Sequence, residues 1–162
     1  MRASLVVIPT YNEAESIGEI LAALKPLDCD VLVIDDGSPD GTAHIVRNLG
    51  IEVIEREGKQ GLGSAYRTGF AIAIDRGYTH VIQMDADGSH QPEQLPLLLD
   101  ALREADLVLG SRWVEGGGTV NWPKSRQFLS KGGSLYTRVL LGIPLRDVTG
   151  GYRAFRAQTL RQ

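Results

Sequence analysis

With 162 residues, 43% of them hydrophobic and 23% charged, the chain has the ordinary make-up of a soluble globular protein, and its length predicts one domain over residues 1–162. A single cysteine, Cys29, excludes an internal disulfide, and no apolar run approaches the ~18 residues that a bilayer-spanning helix needs. The net charge of −3 hides a segregation: residues 1–110 carry 8 Lys and Arg against 18 Asp and Glu, whereas residues 111–162 carry 9 against 2. Such a split predicts that the C-terminal third meets something anionic.

The elements alternate. Ser4–Ile8 is an apolar, β-branched run of the kind found in the centre of a parallel sheet. Asn12 and Glu15 form a capping-box-like pair ahead of a helical stripe at Ile17, Ile20, Leu21 and Leu24, which Pro26 stops. Cys29, just before the second strand (31–34), reads as a small core residue. After Asp35-Asp-Gly-Ser38, Ser38 and Pro39 look like the N-cap and first residue of a helix carrying Ile45, Val46 and Leu49. A weaker strand (51–54), a helix opened by Gly58-Lys-Gln-Gly-Leu-Gly63, a strand at 79–84, a helix from Gln91-Pro92 and a strand at 107–109 follow. Alternation of this kind predicts an α/β fold with an open, mostly parallel sheet and helices on both faces.

Beyond Val114 the character changes. Glu115-Gly-Gly-Gly-Thr119 reads as a flexible loop over a site, and residues 125–141 as a helix despite Gly132 and Gly133. Phe128, Leu135, Tyr136, Val139 and Leu140 share one arc of that helix, beside a stripe of Lys124, Lys131 and Arg138. That pattern fits a helix at an anionic membrane surface, and equally an ordinary packed helix with a solvated flank. The start Met1-Arg-Ala-Ser4 runs straight into a strand without a leader pattern, so the expected location is cytoplasmic.

The chemistry gathers at strand ends, where open α/β sheets bind ligands. Four of them are polar and conformationally special: Pro9-Thr-Tyr-Asn-Glu13, Asp35-Asp-Gly-Ser38, Asp85-Ala-Asp-Gly88 and Gly110-Ser-Arg112. Side chains two apart on extended backbone point the same way, so Asp85 and Asp87 can converge. Two close carboxylates repel, and a divalent cation, Mg²⁺ or Mn²⁺, relieves the conflict. Any single carboxylate of this kind also serves as a cap or turn residue, the role read for Asp40 and one open to Asp35 and Asp36. The Gly58–Gly63 loop has neither Walker A nor G-x-G-x-x-G spacing, which disfavours a dehydrogenase. Several acidic strand ends on one sheet edge suit a nucleotide sugar, with carboxylates on hydroxyls and a metal on the diphosphate.

Val7-Ile-Pro-Thr-Tyr-Asn-Glu13, Val33–Thr42 and Met84–Pro92 resemble the family 2 glycosyltransferases of GT-A fold. Gly58–Gly63, Gly110-Ser-Arg112, Trp122-Pro-Lys-Ser-Arg126 and Asp147–Phe155 look most like the dolichol- or polyprenol-phosphate mannose synthases among them. The resemblance implies nucleotide binding by Pro9, Tyr11, Glu13 and Asp35, with Asp36 beside them. It implies metal binding by Asp85, Asp87 and Gln91, with Asp87 also in the catalytic set. Arg112, Arg126 and Lys131 match basic positions that face the donor diphosphate and acceptor phosphate, and Asp147 and Arg153 match the last motif. The implied reaction is inverting transfer of mannose from GDP-mannose to a polyprenyl or dolichyl phosphate, dependent on Mg²⁺ or Mn²⁺, at the cytoplasmic face of a membrane. UDP-glucose or another nucleotide sugar is the alternative donor, and a non-catalytic nucleotide-sugar or lipid-phosphate binding module the alternative class. Relatives of this type usually continue past the last motif, so a shortened chain or a separate membrane-anchoring subunit is expected.

Overall fold

The computed structural model describes residues 3–114, 124–142, 147 and 149–161. Six strands form one sheet in the order β3-β2-β1-β4-β6-β5: β1 Ser4–Thr10, β2 Asp30–Asp35, β3 Glu52–Glu55, β4 His80–Gln83, β5 Leu107–Leu109 and β6 Arg153–Arg156. The helices are α1 Ile17–Leu24, α2 Thr42–Asn48, α3 Leu62–Asp75, α4 Leu95–Ala101 and α5 Lys124–Leu141, with a 3₁₀ turn at Pro92–Gln94 leading into α4 and another at Ala157–Arg161. The mixed α/β class and the mostly parallel sheet are as expected. The chain divides into two compact units, residues 1–108 with 152–162, and residues 109–151.

In the first unit β1 is central, parallel to β2 on one side and to β4 on the other. All seven of its residues are buried, which is why it reads as a continuous apolar run rather than an alternating one. One face packs on α1, α2 and α4 through Val6, Ile8, Ile17, Leu21, Val33 and Leu95. The other packs on α3 through Leu5, Val7, Leu32, Ile34 and Tyr66. Gly69 allows the close approach of α3: a Cβ there would lie 2.3 Å from Val7 Cγ1.

Pro9 sits inside this central strand, paired with Ile34 of β2. Val7 accepts the Met84 N–H, and Thr10 accepts the Asp36 N–H on the opposite side. By the two-residue period Pro9 faces β4, whose last paired residue is Gln83 opposite Val7. The N–H that proline lacks therefore falls where the pairing with β4 ends.

Two local expectations differ, and one strand was not foreseen. Asn12 does not cap α1; it adopts a left-handed φ of 62°, and its backbone N–H is taken by Ser38 Oγ at 3.0 Å. The helix begins only at Ile17, after a turn closed on the Glu13 carbonyl. Ser38 is occupied with that cross-loop bond, so α2 starts at Thr42 rather than at Pro39, and Asp40 accepts the Thr42 N–H at 3.0 Å. Residues 153–156 form a strand antiparallel to β4 and inserted between β4 and β5, which their mixed Arg-Ala-Phe-Arg pattern did not announce.

In the second unit α5 spans Lys124–Leu141, close to the expected bounds. Its apolar arc is open to solvent, with Phe128 80%, Tyr136 68% and Val139 77% exposed. The Glu115–Thr119 loop and Trp122-Pro123 lie outside the described residues.

Candidate active site

The carboxyl ends of β1, β2 and β4 form one edge of the first unit, because the three strands are parallel and in register. Asp35 ends β2 fully buried, and three donors hold its carboxylate: Thr10 Oγ1 at 2.7 Å, Ser38 N at 2.8 Å and Ser38 Oγ at 2.6 Å. Asp36 is also buried, but it serves the neighbouring loop. It is ion-paired with Arg56, each side chain 7% exposed, and accepts the N–H groups of Gln60 and Gly61 at 3.0 and 2.9 Å. Arg56 in turn donates to Ser64 Oγ and the Gly61 carbonyl. The Gly58–Gly63 segment is thereby tied to the end of β2, and a Cβ on Gly37 would lie 3.2 Å from Gly58 N. Gly58 and Gly61 answer to positive φ angles of 70° and 90°, and a Cβ on either would meet nothing.

Around β1 the exposed residues converge on a cleft of about 390 Å³ lined by Asn12, Glu13, Ala14, Glu15, Ser16, Asp40 and Asp87. Glu13 is oriented by Ser16 Oγ at 2.9 Å, and its backbone N–H by Thr42 Oγ1 at 3.0 Å. Tyr11 is partly exposed, with the Lys59 ammonium 4.2 Å from its ring centroid. Pro9, expected to bind the nucleotide, is buried near the end of β1, two residues before Tyr11.

Asp85 and Asp87 follow β4 with Ala86 buried between them, the chain bending at 86–88. Tyr66, on the first turns of α3, donates its hydroxyl to Asp85 Oδ1 at 2.6 Å. Burial first, then the charges of Asp85 and Asp87, push the Tyr66 hydroxyl far above its ordinary pKa, so it stays a donor. The Asp85 backbone N–H donates to His90 Nδ1 at 2.9 Å, which leaves the ring hydrogen on Nε2, 3.7 Å from Asp85 Oδ2. Burial tends to raise the Asp87 carboxyl, but hydrogen bonds from Ser89 hold it below the ordinary range. Gln91 is exposed and its amide oxygen accepts from Gln94 Nε2 at 2.8 Å. Arg153 opens β6 opposite Gln83, and its charge offsets those of the two carboxylates at Tyr66.

Among the described residues no cluster of three or more His, Cys, Asp and Glu side chains is arranged to hold a metal. Two carboxylates are nevertheless the donor set that suits Mg²⁺ or Mn²⁺, cations commonly bound through one or two carboxylates plus substrate phosphates and waters. The residues present fit such an ion.

In the second unit Arg112 is paired with Asp147, Nε to Oδ2 at 2.7 Å and Nη2 to Oδ1 at 2.8 Å, and Nη2 also reaches Thr149 Oγ1 at 2.6 Å. Asp147 is fully buried while the Arg112 side chain is 23% exposed. Lys131 lies over the Trp113 ring at 4.6 Å. Arg126 falls in the first turn of α5, its side chain outside the described residues. Gly150 allows its backbone to lie against the Gly110 carbonyl, 2.6 Å from where a Cβ would stand.

Tyr66 and His90 were not singled out by the sequence. His90, five residues after Asp85, carried a signal, since a histidine beside paired carboxylates invites attention. Tyr66 carried none, because it sits on another element and meets Asp85 only once α3 packs on the sheet.

The mostly parallel sheet, with acidic and polar strand ends on one edge, is that of a GT-A glycosyltransferase fold, as the comparisons with known proteins show. The model of glycosyl transferase family 2 matches residues 5–162, and the chain belongs to that family. Among relatives it is 54% identical over 97% of its length to an undecaprenyl-phosphate mannosyltransferase of Micrococcus luteus, covering 68% of that protein. It is 46% identical over 98% of its length to a polyprenol monophosphomannose synthase of Mycolicibacterium smegmatis, covering 63% of it. A dolichol-phosphate mannosyltransferase of Pyrococcus furiosus is 37% identical over 96% of the chain, which spans 46% of that protein. The chain thus corresponds to about half to two-thirds of the relatives' length. In fold it is similar to glucosyl-3-phosphoglycerate synthase of Mycobacterium tuberculosis, solved with Mn²⁺, UDP-glucose and phosphoglyceric acid, with a TM-score of 0.75 at 23% identity over 98% of this chain and 58% of that one.

Proposed function

We propose that this chain is the catalytic part of a polyprenol-phosphate mannosyltransferase, transferring mannose from GDP-mannose to a polyprenyl or dolichyl phosphate with inversion. The observation that carries the reading is the 54% identity, across nearly the whole chain, to a relative named for mannosyl transfer to undecaprenyl phosphate. The acidic edge of the first unit supports it, since carboxylates there can hold the divalent cation that a nucleotide diphosphate needs.

In this reading Glu13, oriented by Ser16, takes hydroxyl or amine groups of the nucleoside, Asp35 shapes the nucleotide site from beneath through Thr10 and Ser38, and Tyr11 offers a ring face. Asp36 acts behind them by fixing the Gly58–Gly63 loop. Asp85 and Asp87, with Gln91 nearby in sequence, hold Mg²⁺ or Mn²⁺. When bound, that cation neutralises the donor diphosphate and stabilises it as a leaving group. Arg112, Arg126, Lys131 and Arg153 bind phosphate groups of donor and acceptor. A lipid phosphate is already ionised at neutral pH, so no general base is required; bringing two anions together and stabilising the leaving charge is the catalytic task.

The solvent-facing apolar arc of α5, flanked by Lys131 and Arg138, supports peripheral attachment to an anionic membrane surface, and the cytoplasmic face is the location proposed. Among the described residues no helix is long and apolar enough to cross a membrane, and a separate anchoring subunit is a further proposed partner.

The test is a transfer assay with short-chain polyprenyl phosphate, Mn²⁺ and either GDP-mannose or UDP-glucose. Lipid-linked mannose formed from GDP-mannose, and lost in Asp87→Asn, is expected. Product from UDP-glucose alone would reassign the donor, and no lipid product from either would overturn the enzymatic reading.

A further inference from the structure

We infer that Tyr66 and His90 are positioning residues that set the orientation of the Asp85 carboxylate for its cation. The inference rests on the proposed metal role of Asp85 and deepens it.

Asp85 lies past the last residue of β4, where no ladder bond restrains it, and its side chain is 28% exposed. A carboxylate in that position can rotate, and a ligand that rotates binds a cation weakly. Two side chains from different elements restrain it. Tyr66 claims one lone pair of Oδ1 at 2.6 Å. His90 anchors the Asp85 backbone through Nδ1 at 2.9 Å and sets its Nε2 beside Oδ2 at 3.7 Å. An ionised carboxylate has about four lone-pair sites, so both restraints leave acceptor capacity for an ion.

The restraints are themselves held. The Tyr66 ring is 5% exposed and touches Phe70, which touches Phe155 of β6, with centroids 5.8 and 5.4 Å apart. His90 stacks on the buried Tyr152 ring at 5.1 Å and 13°. Aromatic packing on both sides turns two long side chains into fixed posts. Hydrogen bonds that orient a ligand commonly matter 10–100-fold in metal affinity.

The experiment is calorimetric titration of GDP into the 162-residue chain, with Mn²⁺ and with chelator, plus thermal unfolding without metal. Tyr66→Phe keeps the ring and its packing, and should weaken Mn²⁺-dependent GDP binding about 10-fold or more while leaving the chelator value and the melting temperature nearly unchanged. His90→Ala should do the same, and His90→Asn, whose amide oxygen can accept the Asp85 N–H, should restore most of it. Unchanged Mn²⁺-dependent binding in Tyr66→Phe and His90→Ala, with Asp85→Asn impaired, would overturn the positioning role and leave the metal role standing. If Asp85→Asn is also unimpaired, the metal role fails and takes the inference with it.

Discussion

Arg112 and Asp147 form a two-point ion pair, Nε to Oδ2 at 2.7 Å and Nη2 to Oδ1 at 2.8 Å, with the aspartate fully buried. The arginine expected to meet a substrate phosphate is thus aimed by a carboxylate 35 residues further along the chain. Burial works to raise the Asp147 carboxyl, but the Arg112 hydrogen bonds and charge, with Thr149, hold it below the ordinary range.

That depression has a signed consequence. A carboxyl whose pKa is lower in the folded state stabilises the fold fully above its unfolded pKa, about 3.9. The contribution is lost as pH falls through the folded value. Thermal unfolding followed from pH 7 to pH 3 should therefore show a steeper loss in the parent chain than in Asp147→Asn, which starts less stable. Parallel curves would contradict the assignment.

Arg56→Ala leaves Asp36 buried with its main cation removed, and the two backbone N–H donors from Gln60 and Gly61 cannot replace that charge. A loss of about 3–5 kcal/mol is expected in denaturant unfolding. Hydrogen exchange should quicken first in residues 58–63.

At Gly69 two effects oppose. Alanine improves helix propensity by about 1 kcal/mol, yet its Cβ would meet Val7 Cγ1 at 2.3 Å and Cγ2 at 3.0 Å on a buried central strand. Overpacking of this kind costs about 1–3 kcal/mol, and the clash should win. Gly69→Ala should lower stability and, by lifting α3 one turn from Tyr66, weaken the Tyr66–Asp85 bond as well. Denaturant unfolding checks the first outcome and Mn²⁺-dependent GDP binding the second.

Lys131→Ala and Arg138→Ala should each weaken association with liposomes containing anionic lipid by about 5-fold, from roughly 1 kcal/mol per basic residue near the surface. The effect should fade at high salt. Co-sedimentation at two ionic strengths is the measurement, and unchanged binding in both variants would remove the membrane role of α5.

Much of the fold was legible because it is local. The apolar run of β1, the stripe on α1 and the turn residues between them each act over a few positions, and the elements formed where those patterns lie. The cap residues were harder: Asn12 and Ser38 both have N-cap chemistry, but Asn12 turns into a left-handed conformation and the Ser38 hydroxyl is spent on the Asn12 N–H and on Asp35. Local propensity of this size, about 1 kcal/mol, yields to a tertiary bond between two packed strand ends. Strand β6 was illegible for a related reason. Its place between β4 and β5 depends on antiparallel pairing with residues some 70 positions earlier, and nothing in Arg-Ala-Phe-Arg states that partner.

By itself the sequence determined the chemistry on offer: Asp85 and Asp87 two apart after a buried strand, acids in the first two-thirds and bases in the last. Spacing and charge are properties of the covalent chain. Only the tertiary structure decided which partners each carboxylate takes. Asp35 and Asp36 are adjacent and alike, yet Asp36 turns to Arg56 and the 58–61 loop while Asp35 is held by Thr10 and Ser38. Tyr66 reaches Asp85 because Gly69 lets α3 settle against Val7. Those outcomes depend on how helices pack on the sheet, and packing joins residues that the chain keeps far apart.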